Sequence, residues 1–290
     1  MTYKIGKNSK IIANSINIDN SVVIGDNVEI HCDSIKIDKL SKIGNNVKIT
    51  CRKLEVGKFL YMADGVEIGR GGSTGLNSNV KIGNNVGIFE GTIINPSESV
   101  EIGDDVGIGA EVMIWTHGAW LDVTQGFPSD FGPVKIGNNV WLPARCIVLP
   151  NVTIGDDSVI GIGSTINRDI PSGCLAAGSP CKVIKENCYP KKLNENKMEK
   201  LINSILEDWE KLLNEKKVYY YHKTEYKNRK ILLTEFAEGM SCVTTFDLDK
   251  RIIINGSGKV VEDLRDYLRR CGIKFYTNKP FKSIKQEWTK

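Results

Sequence analysis

The chain has 290 residues, 41% hydrophobic and 26% charged, which suits one large packed domain or two ordinary ones and excludes a disordered chain. Thirty-nine Lys plus Arg against 35 Asp plus Glu leave +4, which excludes a strongly basic chain built to coat nucleic acid. Apolar runs end after a few residues, as in Ile252–Ile254, and the opening Met1-Thr-Tyr-Lys-Ile-Gly lacks the apolar segment of a secretory signal. The expectation is a cytoplasmic protein without a membrane span.

From the first residues onward one pattern recurs: an aliphatic residue, Gly, two small polar residues, then a small or β-branched one. It reads Ile5-Gly-Lys-Asn-Ser, Ile24-Gly-Asp-Asn-Val, Ile43-Gly-Asn-Asn-Val and Ile82-Gly-Asn-Asn-Val, then Ile102-Gly-Asp-Asp-Val, Ile136-Gly-Asn-Asn-Val and Ile154-Gly-Asp-Asp-Ser. Aliphatic residues step by six between these, as in Ile12, Ile18, Ile24 and Ile30, and again from Ile136 through Leu142, Val148, Ile154 and Ile160 to Ile166. Six matches neither the helical period nor simple strand alternation. A short strand and a sharp turn every six residues fit it. Three such units close a triangular coil, and coils stack about 4.8 Å apart by strand-type hydrogen bonds. Gly, Asn and Asp take the corners because they tolerate left-handed backbone angles. The repeat spans residues 1–189 and is interrupted by polar excursions at 70–79 and 118–133, natural places for a binding site.

Beyond Pro190 the grammar changes. Met198, Leu201, Ile202, Ile205, Leu206, Trp209, Leu212 and Leu213 fall at helical spacing, predicting an amphipathic helix over about 193–215 within a segment 190–216. Residues 217–290 predict a small α/β domain, with strands at 218–221, 230–233, 242–246, 251–254 and 274–276 and a helix at 260–270. That domain holds sixteen Lys plus Arg against nine Asp plus Glu, a balance of +7, suited either to an anionic acceptor or partner or to an ordinary solvated surface. The eight cysteines form no CxxC pair and are expected to be reduced packing residues.

Three histidines exist: His31, His117 and His222. His117 ends a regular coil and opens the long excursion, so a rigid strand holds its imidazole at a cleft, where it can accept a proton near neutral pH. Three imidazoles around one metal are not available, because His31 lies many coils away and His222 lies outside the repeats; no metal is expected.

On these residues the chain resembles the hexapeptide-repeat acyltransferases. The resemblance is densest over Thr116-His117, Ile136-Gly-Asn-Asn-Val-Trp141, Pro150-Asn-Val-Thr-Ile-Gly155, Val159-Ile-Gly-Ile-Gly-Ser164, Asp169-Ile-Pro171 and Ala177-Gly-Ser-Pro-Cys-Lys182. It implies a mainly β fold, a left-handed parallel β-helix, usually assembled as a homotrimer with active sites between subunits. It further implies acetyl-CoA as co-substrate, His117 as general base, and a sugar hydroxyl or amine as acceptor, as in capsule and lipopolysaccharide O-acetyltransferases. An antibiotic acceptor and an inactive trimeric scaffold are the alternatives. By the same resemblance Trp141, Ala144, Gly161, Gly163 and Ser164 line the pantetheine track, and Arg168, Lys182 and Lys185 meet phosphates. Leu142-Pro143 and Ile162 depart from the family pattern along that track. On the acceptor side the candidates are Glu90, Asn95, Trp120 and Asp122. Trp120, with Phe127 and Phe131, either stacks on a sugar ring or anchors the excursion on a neighbouring subunit.

Overall fold

The structure is a computed structural model that describes residues 3–277 apart from 74, 219, 238 and 239. It divides into one unit of residues 1–191 and a second of 192–290.

In the first unit the chain winds as a left-handed parallel β-helix with three faces. The first face stacks parallel strands from Lys4–Ile5 to Leu175–Ala177, and the antiparallel strand Lys182–Lys185 closes it. Lys10–Ile18 and Glu29–Ile37 each run across a corner, so the second and third faces join in one thirteen-stranded sheet.

Each letter of the repeat has a physical cause here. Ile24, Ile43, Ile82, Ile102, Ile136 and Ile154 point inward and are buried, as are the valines four places on, Val28, Val47, Val86, Val106 and Val140. Glycine follows the isoleucine because the next coil leaves no room for a Cβ: one on Gly25 would sit 2.6 Å from Asn45 Oδ1, and one on Gly83 2.4 Å from Asp104 Oδ1. Those same side-chain oxygens accept the backbone N–H of the coil before, as Asn45 Oδ1 does from Asp26 N at 2.9 Å and Asp104 Oδ1 from Asn84 N at 2.6 Å. The second polar residue turns the corner in the left-handed region, with φ of 55° at Asn27, 58° at Asn85 and 54° at Asn139. Asn and Asp adopt that conformation at low cost.

All six members of the later aliphatic series are buried. The early series fails at its first member. Ile12 is 54% exposed and stands in register with His31, while Ile11 lies against Ile30. The first coil holds seven steps from Ile11 to Ile18, so counting back by sixes lands one residue late and on the opposite face.

The second unit has its own core. Helix α1 (Glu195–Glu215) is capped by Asn194, whose side chain accepts from Lys197 N, and buries Ile202, Leu206, Trp209 and Leu213. These pack with Tyr226, Ile231, Leu233 and Phe246 of an antiparallel sheet and with helix α2 (Lys259–Arg270). The sheet runs His222–Lys227, Lys230–Ala237, Met240–Asp247, Ile252–Ile254, in chain order.

Two strand expectations need correction. Described residues in 218–221 are not strand, and the first strand is His222–Lys227. Its inward residues are His222, Thr224 and Tyr226, so no aliphatic run marks it. Residues 274–276 are no strand either; Phe275 is buried and Tyr276 N donates to Arg251 O at 2.8 Å.

All eight cysteines are free, five of them buried. No helix among the described residues is long and apolar enough to cross a membrane.

Candidate active site

The second-face strand Met113–Trp115 delivers His117 to the corner before the third face, where the chain leaves the coil. His117–Gly118 pairs antiparallel with Asp130–Phe131, so the excursion is a hairpin arm whose base is the histidine itself. The Phe131 ring stacks on the imidazole at 5.6 Å between centroids and 26° between planes, and the Trp115 ring meets it edge-on at 6.3 Å.

A buried polar cluster stands behind the ring. Asn95, one coil earlier and in register with Trp115, is 0% exposed. Its Oδ1 is 2.8 Å from His117 Nδ1, and Ser97 Oγ is 2.9 Å from the same nitrogen. The Asn95 amide nitrogen donates to Gly69 O and Gly71 O, both at 2.9 Å. Thr116, also buried, donates to Asn95 O at 2.8 Å and accepts from Glu98 N at 2.9 Å. No hydrogen bond joins His117 Nε2 to a described residue.

The other sequence candidates fall in different places. Asn95 lies behind the imidazole and is buried. Glu90 is exposed on the corner that follows the first-face strand Gly87–Ile88, not on the corner of His117. Trp120 is 95% exposed on the arm. Asp122 caps the turn Val123–Gln125, accepting from Thr124 N, Thr124 Oγ1 and Gln125 Nε2. Those bonds, the Thr124 hydroxyl foremost, hold its carboxyl below the usual range.

Trp141 lies on the first face in register with Gly107, and its ring covers that glycine so closely that a Cβ there would be 2.6 Å from Cε3. Ala144 lies one corner beyond, its carbonyl accepting from Gly163 N at 3.1 Å. Gly163 turns at φ 69°. Gly161 leaves room for Ala177, whose Cβ would be 2.5 Å from a Cβ at 161. Ser164 is buried, donating to Gly161 O at 2.6 Å and accepting from Gly178 N at 3.0 Å. Lys182 and Lys185 are exposed on the strand that closes the same face. One strip along the first face and the corner that follows it thus carries seven of the expected thioester-side residues. Arg168, exposed, lies instead on the corner of His117, two rungs further on. Within one chain the strip and the imidazole occupy different edges of the prism.

Sequence reasoning passed over Ser97 and the turn at 69–72, and gave Thr116 no role of its own. Their signal was Asn95-Pro-Ser97 standing where the repeat otherwise places apolar residues, one coil after a glycine-rich excursion. Among the described residues no group of three or more His, Cys, Asp or Glu is placed to hold a metal ion.

A family profile described as bacterial transferase hexapeptide (six repeats) matches residues 133–168. Galactoside O-acetyltransferase of Escherichia coli (strain K12) is 41% identical over 112 residues, 38% of this chain and 55% of that protein. The chain therefore spans about half the length of such relatives. Among solved structures, the maltose O-acetyltransferase from Clostridium difficile 630 is 34% identical, with TM-score 0.39, over 46% of this chain and 68% of that one. A galactoside acetyltransferase in complex with coenzyme A is 33% identical, with TM-score 0.41, over 49% of this chain and 72% of that one. With its Ile-Gly-Asx-Asx-Val coils, the matching profile and this shared sequence, the chain belongs to the hexapeptide-repeat transferase family.

Proposed function

We propose that the protein is an acetyl-CoA-dependent O-acetyltransferase acting on a sugar hydroxyl, with His117 as general base. The observation that carries the reading is the imidazole itself: a rigid coil holds it by Nδ1, flanking rings pack it, and Nε2 is left to the reactants. In the reaction Nε2 takes the proton of the acceptor hydroxyl as its oxygen adds to the thioester carbonyl. The same proton passes to the departing sulfur as the C–S bond breaks, giving the acetyl ester and the free thiol. General-base assistance of this kind contributes on the order of 10²–10⁴-fold.

Acetyl-CoA is supported by sequence kinship with an acetyltransferase solved with coenzyme A. The residues present suit that ligand: a shallow strip floored by Gly161 and Gly163, an exposed indole at Trp141, and exposed cations at Lys182 and Lys185 for its phosphates. Arg168 is assigned to the same phosphates from a second chain. A sugar acceptor is supported by the galactoside and maltose O-acetyltransferases among the relatives, and a surface-polysaccharide precursor by the motif resemblance. Because strip and imidazole sit on different edges, a complete site needs the strip of a neighbouring copy, and we assign a homotrimer. A cytoplasmic setting supplies acetyl-CoA and keeps eight free thiols reduced.

The test is thiol release from acetyl-CoA with a panel of galactosides, maltose and nucleotide sugars. Wild type is expected to turn over at least one of them, and His117→Ala to lose about 10²-fold or more of that rate. Equal rates in the two proteins would refute the assignment.

A further inference from the structure

We infer that Asn95 and Ser97 are positioning residues that lock the neutral imidazole of His117 as its Nδ1–H tautomer and join it to the turn at 69–72. The catalytic meaning of this lock rests on the reading of His117 as base; its structural content does not.

Amide orientation comes first, because an asparagine oxygen and nitrogen are interchangeable in shape. Here the surroundings decide. Asn95 Nδ2 faces two main-chain carbonyls, Gly69 O and Gly71 O, each at 2.9 Å. A carbonyl only accepts, so both contacts require the NH₂ group there and place Oδ1 against His117. Ser97 N, which only donates, also faces that oxygen at 3.3 Å. Oδ1 has no proton to give, so the ring nitrogen opposite it must carry one.

Ser97 points the same way. Its hydroxyl donates to Gly71 O at 3.2 Å, leaving its lone pairs toward Nδ1. One ring nitrogen therefore sees two acceptors, at 2.8 and 2.9 Å. A neutral ring protonated instead at Nε2 would set the Nδ1 lone pair against Asn95 Oδ1 in a buried pocket, a costly arrangement, and Ser97 could donate to Nδ1 only by giving up its bond to Gly71 O. In the selected tautomer Nε2 is unprotonated, the form a general base needs.

The lock extends backward to the excursion one coil earlier. Gly71 O takes bonds from both Asn95 and Ser97. Gly72, at φ 80°, approaches so closely that a Cβ would lie 2.4 Å from Ser97 Oγ. A shift of this turn changes the acceptors that face Nδ1, so the turn at 69–72 and the protonation pattern of the base form one hydrogen-bonded unit.

The test is nitrogen–proton correlation NMR of the full-length protein with ¹⁵N-labelled histidine, which reads the tautomer of each ring without acceptor or thioester. With three histidines, His117→Ala assigns the signal. The wild type is expected to show His117 as the Nδ1–H form alone. In Asn95→Ala the Nε2–H form should become a major species. Ser97→Ala, which keeps one acceptor, should admit it as a minor one and serves if the first variant does not fold. An Nε2–H signal in the wild type, or an unaltered spectrum in the folded variants, overturns the inference. In turnover, Asn95→Ala should lower kcat on the order of 10-fold to 10²-fold with little change in KM. If the tautomer is as stated but His117→Ala is as active as wild type, the lock stands and the catalytic reading fails.

Discussion

A glycine of the repeat is needed for what the next coil places above it. A Cβ on Gly137 would lie 2.3 Å from Asp156 Oδ1 and 2.7 Å from Asp156 N, and that carboxylate also accepts from Asn138 N at 2.7 Å. Gly137→Ala is expected to destabilise the first unit by about 1–3 kcal/mol through overpacking, measured by urea unfolding. Gly65 differs. It has φ 69° with nothing within 4 Å, and it continues a corner column that holds Asn27 and Asn46 at φ 55°. Gly65→Asn should be tolerated within about 0.5 kcal/mol, while Gly65→Val should cost roughly 1–2 kcal/mol for the left-handed backbone. The repeat was legible because each position has one dominant cause. Asn95 was less so: its type says only that it is polar, and the two carbonyls that orient it belong to an excursion 24–26 residues earlier.

The elements of the second unit were legible in proportion to their apolar period. Helix α1 announces itself because Ile202, Leu206, Trp209 and Leu213 recur at steps of four, three and four along its buried side. Strand His222–Lys227 does not, since its six residues lack an aliphatic side chain and the pairing with Lys230–Ala237 defines it. That pairing is closed by Asn228 and Arg229 at φ 49° and 56°, a tight two-residue turn. Helix α2 carries a group held at some cost. Burial pushes the Asp263 carboxyl above its ordinary range; Asp266 adds to this, while Lys216 opposes it, as does Trp209 Nε1, which has no acceptor at hydrogen-bond geometry. Above the raised pKa the folded state bears a charge it disfavours. The penalty declines as pH falls through that pKa and is gone below the unfolded value of about 3.9. Asp263→Asn should therefore raise the thermal midpoint of the second unit at pH 7, with the advantage over wild type shrinking as pH is lowered. An advantage that grows on acidification would contradict the assignment.

At the scale of the whole molecule, the first unit puts its imidazole on one edge and the strip proposed above for the thioester on another. Two inactive variants should then repair one another: His117→Ala retains the strip, and Trp141→Ala combined with Lys182→Glu retains the imidazole. Co-refolded mixtures are expected to recover a measurable share of wild-type turnover, while either variant alone stays inactive. No recovery in mixed assemblies, confirmed by mass spectrometry, would argue that each chain works alone. This division was not readable from spacing, because a step of six gives depth in the prism without saying which edge a residue reaches until register is known.

The stacking pattern has one more consequence. Strands resume their partners without slip on the far side of each excursion, Val80 against Leu54 and Val100, Val134 against Val100. A rung does not sense how many residues were spent away from it, and doubling such a detour adds only about 0.6 kcal/mol of closure entropy. Evolution can therefore lengthen, shorten or exchange the outward arms almost freely while the rungs beneath hold still. Descendants of such a chain would diverge first in their arms and last in their rungs.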